Sequence, residues 1–188
     1  GNAMSYLSNK IGILKDVFMG NLMKLKVRYD IRLRKSIKLS PQQDNSVIVS
    51  LTSYGGRVRG SVVYSVYSLL RQTVRAERVV LWLEEKTYNS DSLPSDLRFL
   101  CRYGLEVRFG KDIRSYTKII HSLKAFPDKH IITADDDIFY TKTFIEEFVE
   151  AHRKHPKAII TGWAKVPMSG RDRQLAPYYD WPEYHHVS

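Results

Sequence analysis

Three consecutive carboxylates, Asp135, Asp136 and Asp137, follow the apolar run Ile131-Ile132-Thr133-Ala134 and precede Ile138-Phe139-Tyr140. Ile131, Ile132 and Ile138 suit a buried strand, and Thr133 is tolerated in one. Adjacent Asp residues do not, because desolvating like charges side by side is costly unless a cation neutralises them. The pattern predicts a buried strand that delivers carboxylates at its C-terminal end to a hard divalent metal. A polar turn with one Asp capping the next helix is the alternative. Asp135 and Asp137, two residues apart, can hold one Mg²⁺ or Mn²⁺ directly or through water. Mg²⁺ takes one or two carboxylates, keeps several waters and accepts phosphate oxygens, so a diphosphate leaving group is what such a site stabilises. Lys118 and Arg57 are candidate cations to complete it. Arg71, Arg75 and Arg78 are expected to be solvated.

The elements that must position these groups alternate between strand and helix. Val47-Ile48-Val49-Ser50-Leu51 is a near-continuous apolar run of the buried parallel kind, and Thr52-Ser53-Tyr54-Gly55-Gly56-Arg57 follows it as a loop with two glycines. A helix starts at Ser61 with Val62, Val63, Val66, Leu69 and Leu70 inward. Residues 78–83 form a second strand, ending in Glu84-Glu85. Pro94 to Tyr103 is a short helix closed by Gly104, and residues 105–109 alternate like a more exposed strand. Tyr116 to Phe126 is a helix with Ile119, Ile120 and Leu123 inward. The strand into the Asp triplet follows, then a helix to about His155 opened by the capping-box spacing of Thr143 and Glu146, then a strand over residues 157–162. Such alternation with short links predicts an α/β fold, a mostly parallel sheet flanked by helices on both faces. Ligands bind beyond the carboxyl ends of such strands, where the 52–57 loop, Glu84-Glu85 and the Asp triplet all fall.

Composition bounds the rest. A chain of 188 residues with 43% hydrophobic and 27% charged residues is one globular domain. The single Cys101 excludes an intrachain disulfide framework and fits a reducing cytoplasm; its apolar neighbours suggest a packed thiol. Gly1-Asn2-Ala3 ahead of Met4 reads as a tag remnant. Of the net charge of +10, residues 1–40 carry +7. Residues 5–40 read as a basic amphipathic helical segment, with Ile11, Leu14, Phe18, Leu22, Leu25 and Tyr29 at three- and four-residue spacing. That segment either covers the core with a solvated basic face or lies on an anionic membrane surface; nucleic acid or a partner subunit would also suit it. Residues 41–45 read as a linker and residues 166–188 as an irregular aromatic, Pro-rich tail.

The segments Ile48 to Arg57, Ser68 to Thr73, Ser115-Tyr116-Thr117-Lys118 and Ile131 to Tyr140, in that order and spacing, resemble a bacterial glycosyltransferase of the GT-A fold. The nearest group is the family-2-like enzymes of cell-surface polysaccharide or lipopolysaccharide synthesis. The resemblance covers roughly residues 46–165. It implies a Rossmann-like nucleotide-sugar-binding domain, a Mn²⁺ or Mg²⁺ cofactor, and a glycan or lipid-linked acceptor. The loop bearing Thr52, Tyr54 and Arg57, with Glu84 or Glu85, would hold the base and ribose. Lys118 would approach the diphosphate. Asp135 and Asp137 would form the Asp-x-Asp motif, Asp137 as the main metal ligand, with Asp136 or Asp135 reaching the ribose. Enzymes of this kind usually continue into an acceptor half that brings the catalytic base. The chain ends at Ser188, so a truncated or donor-binding form without transfer activity is the second expectation.

Rival readings fit less of the pattern. A haloacid-dehalogenase-type phosphatase has Thr or Val where Phe139 stands. A nucleotidyltransferase has a Gly-rich, Lys-containing loop that Gly55-Gly56-Arg57 only faintly resembles. A nucleic-acid binder would carry its charge beyond one segment, and no RNA-binding signature is present. No nucleic-acid partner is expected, and the expected location is the cytoplasm, with possible attachment to the inner face of a membrane through residues 5–40.

Overall fold

A computed structural model describes residues 20–111, 117–154 and 165–166, with side chains for 20–111 and 119–154. Four parallel strands form its central sheet: β1 (Gln43–Thr52), β2 (Arg75–Glu84), β3 (Leu105–Gly110) and β4 (His130–Thr133), in the order β3-β2-β1-β4. The chain lays β2 and β3 on one side of β1, then returns to place β4 on the other. Val49 faces Ile132 across that second seam, and Ser50 faces Thr133. This is the α/β class expected, Rossmann-like in its parallel order. The strand order reverses between β1 and β4, so the crevice beyond their carboxyl ends is the switch point where such sheets bind ligands.

The two faces of the sheet differ. Alternate residues of the inner strands, Val47, Val49 and Leu51 from β1 and Val79, Leu81 and Leu83 from β2, join the large core. That core is covered by α2 (Ser61–Leu70), α3 (Ser95–Leu100) and α5 (Phe144–Lys154), and by a helix over residues 20–32, α1. On the opposite face Ile48, Val80 and Trp82 form a small cluster against Ala125 and Phe126 at the end of α4 (Thr117–Ala125). Here the expected inward set fails. Ile119, Ile120 and Leu123 are 38%, 49% and 50% exposed. Buried Trp82 needs a partner for its indole N–H, and Ser122 Oγ accepts it at 2.9 Å while bonding Ser50 Oγ at 2.7 Å. His121 stacks on the same indole, its centroid 5.0 Å away. Polar residues thus take the sheet side of α4 and turn its aliphatic residues out.

Several boundaries also move. β1 begins at Gln43, inside the expected linker, and pairs with Arg75 and Ala76 before a bulge between Asp44 and Ile48. The 94–103 helix divides into α3 and a 3-10 turn at Cys101–Tyr103, closed by Gly104 at φ +108° as its glycine suggested. Cys101 is exposed, not packed. The Thr143–Glu146 capping box does not close: Thr143 Oγ1 donates to Glu147, and Glu146 accepts from Thr73 Oγ1. Arg75 donates to Ser40 O at 2.6 Å and Arg78 pairs with Glu106 at 2.8 Å, so neither is merely solvated. A two-residue strand β5 (Phe139–Tyr140) pairs antiparallel with β6 (Lys165–Val166), an arrangement the sequence pattern did not suggest. The strand expected over 157–162 and the tail from residue 167 lie outside the described residues.

Candidate functional site

β1 runs out at Thr52, which is half-buried, and the chain turns sharply. Gly55 takes a positive φ of +57°, the left-handed region that costs glycine little, and starts a 3-10 turn at Gly55–Arg59. This sends Ser53 inward, leaves Tyr54 65% exposed, and brings Arg57 back over the end of the strand. Next to it, β4 ends at Thr133, and Ala134 N–H donates to Ser50 O at 2.9 Å, continuing the β1 seam one residue further. The Asp triplet therefore emerges beside the Ser53–Arg57 turn.

The three carboxylates are placed differently. Asp136 points inward, its side chain 8% exposed. Ser53 Oγ donates to its Oδ2 at 2.7 Å and Arg57 Nη1 to its Oδ1 at 2.9 Å. Asp137 is 49% exposed, with Oδ2 3.7 Å from the same guanidinium. Asp135 is half-buried, and its backbone N–H donates to the Tyr140 hydroxyl at 2.7 Å. The hydrogen bond and charge of Asp136 hold Arg57 above its already high ordinary value. Burial holds the Tyr140 hydroxyl well above the usual phenol range, so it stays a neutral acceptor for Asp135. The like-charge problem posed by the sequence is solved for one carboxylate by the protein itself.

The segment after the triplet is held by α2 and by Gln72 just beyond its end. Ile138 N–H donates to Ser65 Oγ at 3.0 Å and Tyr140 N–H to Ser68 Oγ at 2.9 Å. Gln72 Oε1 accepts from Ile145 N–H at 3.0 Å, and its Nε2 donates to Thr141 O at 2.7 Å. Ser65 and Ser68 lie three apart on α2 and Gln72 follows just past its last residue, Leu70; all three are buried. Sequence reasoning gave no site role to these residues or to Ser53 and Tyr140, although all but Ser65 fall within the segments that carry the resemblance. The readable signal was the pair Ser65 and Ser68, three apart on a mostly apolar α2.

Of the expected site residues, Thr52, Tyr54, Arg57, Asp135, Asp136 and Asp137 come together at the β1–β4 crevice. Glu84 ends β2, and its carboxylate accepts from Thr87 Oγ1 at 2.9 Å, closing its own turn. The neighbouring loop reaches the Gly55 turn through Tyr88 instead, whose hydroxyl donates to Gly55 O at 3.4 Å. The side chain of Lys118, with residues 115 and 116, lies outside the described residues. Asp136 is tied to Arg57 and Ser53, and the two residues expected to ligate a metal, Asp135 and Asp137, lie on either side of it. Among the described residues no group of three or more His, Cys, Asp or Glu could hold a metal. Two hard oxygen donors fit Mg²⁺ or Mn²⁺ when water and phosphate oxygens supply the remaining positions, not as a closed protein cage. No protein-family model matches the chain, and no curated protein matches it.

Proposed function

We propose that the chain is a metal-dependent glycosyltransferase of GT-A type that moves a sugar from a nucleotide-diphosphate donor to a cell-surface glycan or lipid-linked acceptor. The observation that carries this reading is the Asp135–Asp137 turn at the reversal of strand order, beside the Ser53–Arg57 turn. Asp135 and Asp137 would hold Mn²⁺ or Mg²⁺, which supplies charge neutralisation for the departing diphosphate. Arg57, fixed by Asp136, offers a permanent positive charge at the same place. Tyr54, exposed beside it with the Arg57 guanidinium 5.4 Å from its ring centroid, presents a flat face on which a base can stack. Glu84 has a weaker claim as a ribose ligand, because Thr87 already occupies it.

The test is thermal stabilisation across a panel of nucleoside diphosphates with and without Mn²⁺, followed by turnover of UDP- and GDP-sugars. The expected result is stabilisation that needs both nucleotide and metal and is lost in Asp137→Ala. No shift with any nucleoside diphosphate would overturn the reading.

A further inference from the structure

α1 has two apolar faces, and only one is used. Val27 and Ile31, four residues apart, are 4% and 2% exposed and join the main core with Ile37. The helix is closed firmly. Lys35 N–H donates to Asp30 O at 2.9 Å and Arg34 N–H to Ile31 O at 3.0 Å, with Arg34 in the left-handed region at φ +52°. This is a Schellman-type closure, and Arg34 also pairs with Asp96 on α3 at 3.2 Å. α1 is therefore fixed to the body, and its other side cannot turn inward without breaking these ties.

That other side carries Leu22, Leu25 and Tyr29, at positions i, i+3 and i+7, which makes one stripe. They are exposed, Leu25 by 61% and Tyr29 by 57%, and Leu33 just past the helix extends the line. The sequence left this stripe open between the core and an anionic membrane surface; the part described faces away from the core. Basic residues flank it. Lys26 lies beside Leu22 and Tyr29 at helical spacing, and Arg28 and Arg32 lie beside Leu25 and Tyr29. Residues 20–40 hold seven Lys or Arg against one acid, Asp30. The same spacing recurs upstream in the sequence as Ile11, Leu14 and Phe18, with Lys10 and Lys15 near them.

We propose that the outward face of α1 docks on an anionic lipid bilayer, the apolar stripe entering the interface and the flanking cations meeting lipid phosphates. The choice of occupant rests on charge complementarity. An apolar stripe edged on both sides by cations matches an interfacial helix, and each Lys or Arg near an anionic surface adds to the attraction. A second copy of the chain would bring the same positive flanks against these and repel. No described helix is long and apolar enough to cross a membrane, so the contact is one of lying on the surface. The inference stands independently of the donor-site reading.

The test is co-sedimentation of the full chain with phosphatidylcholine vesicles and with vesicles containing phosphatidylglycerol. Binding to the anionic vesicles is expected to be about tenfold stronger or more and to weaken with added salt. Leu25→Glu with Tyr29→Glu should reduce it by about tenfold or more, with unchanged thermal stability. Lys26→Ala with Arg32→Ala touches no core residue and should remove the anionic preference, so a misfolded first variant does not leave the matter open. Asp137→Ala should bind vesicles like the parent, which separates this inference from the donor site. Absent vesicle binding, or equal binding by both double variants and the parent, overturns it. So does a dimer in light scattering, or DNA binding, that is abolished by the Leu25 and Tyr29 substitutions while vesicle binding is not.

Discussion

Arg57 donates from Nη1 to Asp136 Oδ1 at 2.9 Å and stands 3.7 Å from Asp137 Oδ2, so one guanidinium holds the inner carboxylate and faces the outer one. Two neighbouring Asp residues thereby acquire different roles. Asp136 is a structural anchor, shared between Arg57 and Ser53. Asp137 keeps about half its surface in water and remains open to a ligand. The arrangement separates stability from binding, and substitutions can tell the two apart.

Ser53→Ala removes the donor to Asp136 Oδ2 and leaves a buried, charged acceptor short of one hydrogen bond. Such a loss costs about 1–3 kcal/mol, read as a lower urea midpoint at unchanged slope. Asp137→Ala leaves the Ser53–Asp136–Arg57 web intact. It should keep the parent's midpoint while losing metal-dependent stabilisation by nucleoside diphosphates. A fall in midpoint for Asp137→Ala equal to that for Ser53→Ala would contradict this division.

Gln72 is nearly solvent-free and joins three backbone groups: it donates to Ser68 O and Thr141 O and accepts from Ile145 N–H. Gln72→Leu keeps similar volume but strands the Thr141 carbonyl and the Ile145 amide. The expected cost is about 2–3 kcal/mol, with faster amide exchange over residues 138–145 than over β1 and β2. Uniform exchange across the fold would show that Gln72 does not brace this segment in particular.

The sequence showed the parallel sheet because buried strands leave apolar runs, and three of the four central strands carry them. It showed the site because like charges at the end of such a run are expensive and conspicuous. The inner role of Asp136 was not legible, since nothing local distinguishes three identical residues; Ser53 and Arg57, some eighty positions upstream, decide it. α4 misled for a related reason. Its aliphatic spacing implied an inward face, yet the buried Trp82 indole, fixed from β2, demanded a polar partner there. On α1 the longer apolar stripe fitted either the core or a membrane surface, and the shorter pair Val27 and Ile31 makes the core contact. Periodicity finds a face, but the surface it meets determines whether that face is buried.

Ser122→Ala tests the α4 explanation. It removes the acceptor of Trp82 Nε1–H and a partner of Ser50 Oγ in a tight, buried position. A destabilisation of about 1–3 kcal/mol is expected, although the change makes α4 more apolar and raises its helix propensity. A neutral or stabilising outcome in chemical denaturation would mean that hydrophobic contact alone holds α4 to the sheet.

Glu106 on β3 gives the pH prediction. Burial pushes its carboxyl up, but hydrogen bonds from Arg78 at 2.8 Å and Arg108 at 2.6 Å outweigh this and leave it below its ordinary value. The unfolded chain therefore binds the Glu106 proton more readily than the folded one, so stability rises with pH across this interval. The contribution is fully present above the ordinary carboxylate range and is lost as pH falls through the lower folded value. Because the group is half-buried on the edge strand, with its partners reaching solvent, screening limits it to about 0.2–1 kcal/mol. Glu106→Gln should be less stable than the parent by that amount at neutral pH, with the gap closing once the medium is acidic enough to protonate Glu106 in the folded protein. Paired urea titrations at the two pH values measure it. A gap that persists unchanged in acid would mean the side chain stabilises β3 through packing or neutral hydrogen bonds instead of through its charge.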